Sequence, residues 1–408
     1  MDKLKLIILC ISVSLCFVLP LDSTGQGQGV QIGGLLDLEL RKGGEDSAPT
    51  VNQTPGGDLS VYTPNIRLFV TGNINQKWSA TAVLQSDHVY GKNLSNPFFA
   101  GLNVRWFPFE QNNINFTFGR FKTPFGMYSN RLLSTNNPFV HHPLTIARNL
   151  NIDKKRGFVP ETGSYGDGLG QSIVYQRGYT QGIMLNGGSL GDKGYTYRLA
   201  ATLVSAGSNV DFGNHDHPAV IGTFTVQPII WNKTSISLNY GPYMVDSDVN
   251  QQLSDDDLTS FKQVSFSGYT ELSYLYFVLA GEFTWNRWQA PSITSAARVL
   301  YDDLTADASH YQVELQYRLP FIVGAYSAVR VEQLLAGGLT TNNRVVNRDF
   351  INDHDTDLPS KWTNDVTRTE FVFGYDLNRQ VQLKLSYLLS RNTGDELSDD
   401  VFAVQISA

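Results

Sequence analysis

Six basic side chains fall within one stretch of this chain. Lys122, Arg131, Arg148, Lys154, Lys155 and Arg156 lie in residues 122–170, against Asp153, Glu161 and Asp167. The chain as a whole has a formal charge of −7, so a local basic surplus stands against the general trend. Lys and Arg clustered at a narrow passage favour anions. The same surplus on a solvated loop would do nothing, and charge counting leaves both readings open. A second charged set consists of Arg67, Arg105, Arg198, Arg330, Arg368 and Lys384. Those residues are interleaved with Asp37, Glu39, Glu271, Glu282, Glu314, Glu332 and Glu370, each with an apolar residue on at least one side.

Other constellations carry less chemistry. His215-Asp216-His217 offers two imidazoles for a metal, with no third ligand identifiable. Asp246, Asp248, Asn250 and Asp257 have the spacing of a calcium loop, but Gln251 stands where that loop needs glycine. His141-His142 lies near Ser134 with no motif to fix an orienting acid, which argues against a hydrolase. No catalytic residue, metal or cofactor is expected, and the chain does not read as an enzyme.

The elements that must position these charges come next. Lys3 and Lys5 precede an apolar run over residues 6–21, followed by Asp-Ser-Thr-Gly-Gln. That is the layout of a secretory signal peptide, expected to cover residues 1–25. Both cysteines, Cys10 and Cys16, fall inside it, so the remainder offers neither a disulfide framework nor a thiolate site. The acidic balance argues against a nucleic-acid partner. No apolar run of membrane-helix length follows the leader.

From Val30 onward the dominant period is two. Val30, Ile32, Gly34, Leu36, Leu38 and Leu40 share one face, while Gln31, Gly33, Leu35, Asp37, Glu39 and Arg41 share the other. Alternation of this length is a strand with one apolar and one polar side. The pattern recurs often enough to place sixteen strands. They are expected at 30–41, 59–71, 78–87, 98–107, 114–121, 173–187, 194–205 and 219–228, then at 234–246, 262–273, 275–288, 308–319, 321–334, 364–376, 380–391 and 400–407.

Short and long connections alternate strictly between them. Trp78, Trp106, Phe107, Phe109, Trp231, Tyr274, Phe321 and Tyr375 cluster beside the short ones. An even strand number, loops segregated by length and aromatic girdles describe an all-β transmembrane antiparallel barrel. Residues 26–408 are therefore expected to form a single outer-membrane barrel. The long third loop, 122–170, is expected to fold into its lumen and narrow it. The polar face would line that lumen, and so many charges predict water along it rather than a dry core.

The stretch Gly119-Arg-Phe-Lys-Thr-Pro-Phe-Gly126 resembles the porin family that includes the phosphate-selective porins, where a similar segment begins the constriction loop. Arg177-Gly-Tyr-Thr-Gln-Gly-Ile-Met-Leu-Asn-Gly187 resembles the strand placed after that loop. The resemblance implies a sixteen-stranded porin, often a homotrimer, passing small hydrophilic solutes passively across the bacterial outer membrane among lipid and lipopolysaccharide. Phosphate selectivity in that family rests on extended arrays of arginine and lysine. In this chain the inward charges alternate with Glu271, Glu282, Glu314, Glu332 and Glu370.

The expected function is passive diffusion with a mild preference for anions, phosphate among them. The alternatives are a substrate-specific uptake channel and a non-conducting structural, adhesive or secretion-associated barrel.

Overall fold

The structure is a computed structural model. It describes residues 29–44, 57, 59–87, 98–109, 113–148, 150–153, 157–158, 172–174, 178–207, 217–244, 255–293, 299–341, 344–346, 362–363, 365–392 and 400–408. The expected leader with its cysteines, Lys154, Lys155, Arg156, His215, Asp216 and most of the calcium-like stretch lie outside the described residues.

Sixteen antiparallel strands make a closed wall. They are β1 (Val30–Gly43), β2 (Leu59–Asn75), β3 (Trp78–Asp87), β4 (Phe98–Trp106), β5 (Asn115–Lys122), β6 (Tyr179–Ser189), β7 (Gly194–Thr202) and β8 (Ala219–Ile229). They continue as β9 (Asn232–Pro242), β10 (Lys262–Tyr274), β11 (Phe277–Ile293), β12 (Val299–Arg318), β13 (Ala325–Thr341), β14 (Val366–Asp376), β15 (Gln382–Asn392) and β16 (Val401–Ser407). Each pairs with its neighbour in sequence. β1 also pairs with β16, from Asp37↔Ser407 to Gly43↔Val401, so no edge is left. Closure answers the requirement that every backbone group in lipid be paired. Among the described residues helix is confined to short turns such as α1 (Leu144–Ala147) and α2 (Asp255–Ser260).

Directly opposed residues share a face, and the rows separate cleanly. Leu315, Val329, Phe371, Tyr387 and Phe402 form one row across β12–β16, and Phe371, Tyr387 and Phe402 are exposed. The adjacent row is Glu314, Arg330 and Glu370, all buried. At the short-turn end Trp78, Trp106 and Phe116 stack in series, with ring centroids 5.8 and 5.6 Å apart. Phe277 and Tyr317 stack at 4.6 Å at the same end.

One feature departs from the sequence expectation, and one parity left open by the sequence is settled. β11, β12 and β13 run well past their expected ends, and Ala290, Ala306 and Leu339 up there are fully buried. Pairing continues above the apolar band, where the outward positions are polar, so hydrophobic alternation fades before the strand does. By alternation Arg120 shares a face with Phe116 and Phe118, and only a bulge at Gly119 would turn it to the other side. The ladder instead runs unbroken through Asn103↔Gly119 and Leu102↔Arg120, and the irregularity lies in β4 at Ala100. Arg120 thus sits beside the exposed Leu102, and its Nε donates to the Ala100 carbonyl at 3.0 Å.

Candidate functional site

The long connection leaves β5 at Lys122 and stays bonded to polar wall side chains for some twenty residues. Thr223 Oγ1 donates to the Pro124 carbonyl at 2.6 Å. Gly126 has φ +67°, and a Cβ there would come within 2.7 Å of Glu282 Oε1, so only glycine fits comfortably. Its amide donates to Ser237 Oγ, and Met127 N donates to Glu282 Oε1 at 2.9 Å. Arg131 then bridges Glu271 (3.2 Å) and Glu314. Ser134 Oγ donates to Asp37, while Lys384 Nζ donates to the Ser134 and Asn137 carbonyls at 2.6 and 2.7 Å.

The return leg uses the same logic. Glu370 accepts from Val140 N and His141 N, both at 3.1 Å, and from Arg330 at 2.6 Å. Arg330 also donates to the His141 carbonyl at 2.9 Å, and its guanidinium lies 4.6 Å from the Phe139 ring centre. Arg368 donates to the His142 carbonyl and to Glu332, and Glu332 takes Leu144 N at 2.8 Å. Carboxylates of the wall hold the segment's N–H groups, and cations of the wall hold its carbonyls. Such charge-assisted bonds are about twice as strong as neutral ones.

Above this, Leu144, Ile146, Leu150 and Phe158 pack with Trp288, Trp362, Leu334 and Ala306 in one apolar cluster. Trp362 Nε1 donates to the Asp307 carbonyl at 2.6 Å, and the Trp362 carbonyl accepts from Asn151.

Electrostatics along the segment follow from this burial. Burial, with Arg67, Arg41 and Arg330 nearby, pushes the His142 imidazole down to about 3. Burial also holds His141 below its ordinary value, against the pull of Glu370. Arg131 is held above its ordinary value because Glu314, Tyr269 and Glu271 outweigh its desolvation.

The twelve basic residues singled out from the sequence divide into sets. Arg330, Arg368, Lys384 and Arg148 are 0–1 % exposed, and Arg131 is ion-paired. The first three lie between wall and segment, where the sequence predicted water; segment backbone groups and neighbouring carboxylates replace that water. Arg105 is exposed, and Arg198 and Lys122 are half-buried. Arg198 reaches Asn130 Oδ1 at 3.4 Å. Arg67 is 5 % exposed, with its Nε donating to Asn65 at 2.9 Å and no partner for Nη1 among the described residues. Lys154, Lys155 and Arg156 lie outside the described residues. No group of three metal-ligating side chains occurs among the described residues.

Sequence reasoning missed one signal that was there to read. Strands β2–β9 contain Arg67, Arg105, Arg120, Lys122, Arg198 and Lys233 but a single acidic residue, Asp87 at the end of β3. The inward carboxylates Glu271, Glu282, Glu314, Glu332 and Glu370 all lie on β10–β14, with Asp37 and Glu39 on β1. The wall has a basic half and an acidic half, and the segment binds the acidic one.

No curated protein matches the chain in sequence. Solved structures do match in fold. The outer-membrane channel DcaP of Acinetobacter baumannii aligns with TM-score 0.54 at 10% identity, covering 94% of this chain and 98% of that one. OmpF of Salmonella typhi, in complex with daunomycin, aligns at 0.52 and 13%, covering 93% and 97%. OmpT of Vibrio cholerae in its trimer form aligns at 0.50 and 9%, covering 94% and 99%. The family model for phosphate-selective porin O and P matches residues 42–344. With that match over most of its length and a closed sixteen-stranded barrel, the chain belongs to the phosphate-selective porin O and P family, a bacterial outer-membrane channel for passive diffusion.

Proposed function

We propose that the channel prefers anions, and that residues 122–170 fold within the lumen and narrow it. One observation carries the reading: the segment ties up the acidic half of the wall and leaves the basic half, with Arg105, Arg198 and Lys122, in contact with solvent. Carboxylates engaged by Arg131, Arg330, Arg368 and backbone N–H groups add little negative potential to an open path. Uncompensated guanidinium and ammonium groups over low-dielectric walls concentrate anions.

In this reading Arg131, Arg330, Arg368 and Lys384 anchor the constriction, Arg148 packs within it, and Arg105, Arg198 and Lys122 face permeating ions, with the buried Arg67 adding its charge to theirs. Lys154, Lys155 and Arg156 extend the basic surplus of the same segment. Phosphate is among the anions admitted, as the family description suggests. Residues 1–25 serve as the leader, lipid and lipopolysaccharide surround the apolar band, and the working unit is a homotrimer, as in the trimer form of Vibrio cholerae OmpT.

Single-channel recording of purified protein in a planar bilayer tests conduction. A large ohmic conductance in KCl, lowered when phosphate replaces chloride, is the expected result. A silent bilayer would overturn the reading in favour of a structural barrel.

A further inference from the structure

A polar cleft of about 230 Å³ lies at the short-turn end, between residues 135–138 and the ends of β12–β15. It meets the anchors described above at Asn137, whose carbonyl accepts from Lys384. Its floor is fixed: Tyr326 OH donates to the Pro138 carbonyl at 3.2 Å, and Gln382 Nε2 donates to Asp376 at 2.7 Å. Around it stand the guanidinium groups of Arg318 and Arg379 and the side-chain amides of Asn136, Gln316 and Gln380. None of these five side chains has a hydrogen-bond or ion-pair partner among the described residues. Gln382 Oε1 is buried and also lacks a donor among the described residues.

We infer that this cleft binds a hydroxylated carboxylate of the sugar-acid class. Guanidinium groups match a carboxylate's two oxygens. Primary amides both donate to and accept from hydroxyls. A chain of hydroxyls donates to and accepts from those amides, whereas a halide cannot donate. A neutral sugar would leave both guanidinium groups unmatched. The cleft adjoins the exposed turn after β14, so a ligand reaches it from the face where barrels of this type carry their short, periplasmic turns. The inference stands apart from the conduction reading.

Equilibrium binding of D-gluconate to the purified, detergent-solubilised protein tests it, with D-glucose and inorganic phosphate as comparators. Saturable gluconate binding, tighter than either comparator, is expected. The double variant Arg318→Gln/Arg379→Gln should weaken it at least about tenfold. Gln316→Ala should weaken it by less, with the heat-modifiable gel mobility of a folded barrel retained by both variants. Gluconate binding no tighter than phosphate, or unchanged in the double variant, overturns the inference. KCl conductance recorded on the same samples keeps the two ideas distinct. A conducting protein that ignores gluconate sinks this one alone, and a silent protein that binds it sinks only the channel reading.

Discussion

Gly126 turns the chain under the Glu282 carboxylate with φ +67°. Gly126→Ala adds a methyl within 2.7 Å of Glu282 Oε1 and holds an L-residue in a left-handed conformation, at a cost of roughly 1–3 kcal/mol. Single-channel traces of that variant should be noisier and of higher mean conductance; traces identical to the parent would show that the turn is not under this constraint. Leu275 poses the opposite case. It has φ +52° in the two-residue turn between β10 and β11 and is 80% exposed. Leu275→Gly relieves that strain, and urea unfolding in detergent or lipid should show a gain of about 1 kcal/mol. Neither backbone state was legible in the sequence. The Gly126 position becomes explicable only when Glu282, far along the chain, is seen beside it.

At the scale of the segment, docking rests on a few wall carboxylates. Glu370→Gln removes the charge that Arg330 faces and weakens the acceptor of two backbone amides. Breaking a buried pair by removing one partner costs about 3–5 kcal/mol, so the variant should conduct more and with larger fluctuations, while its barrel remains heat-modifiable. The histidines add a pH dependence whose sign follows from burial. Both His141 and His142 have folded pKa values below the ordinary one. Released from the wall, each takes up a proton near pH 6.5.

Docking is therefore strongest above about pH 6.5. It weakens as pH falls below that, by roughly 1.4 kcal/mol per pH unit per histidine, until the docked His142 itself titrates near 3. Open-channel noise should rise between pH 7 and pH 5, and His142→Phe should blunt the rise. A pH-independent trace would show that the segment does not undock.

Sequence alternation told which residues share a face with Glu332 and Glu370. It could not tell that residues 140–144 lie over them, because that proximity joins segments 188 to 230 residues apart.

Across the whole molecule, most of the fold was legible. Period-two alternation from Val30, aromatic residues beside the short turns and strictly alternating loop lengths imply a closed barrel, and β1 pairs with β16 as closure requires. The charge distribution was written in the sequence too, in β2–β9 with six basic residues and Asp87. Counting charge over the whole chain averaged it away.

Two halves of opposite sign make selectivity depend on which half the segment covers. Exposed charges act through a potential screened over about 10 Å at 0.1 M salt, so the preference should be largest in dilute KCl. The measurement that tests this most directly is the reversal potential across a planar bilayer under a KCl gradient, for the parent and for Arg105→Gln/Arg198→Gln. A parent potential of chloride-selective sign, collapsing toward zero in the double variant at unchanged conductance, is the predicted result. A cation-selective parent, or a chloride preference that the double variant keeps in full, would contradict it.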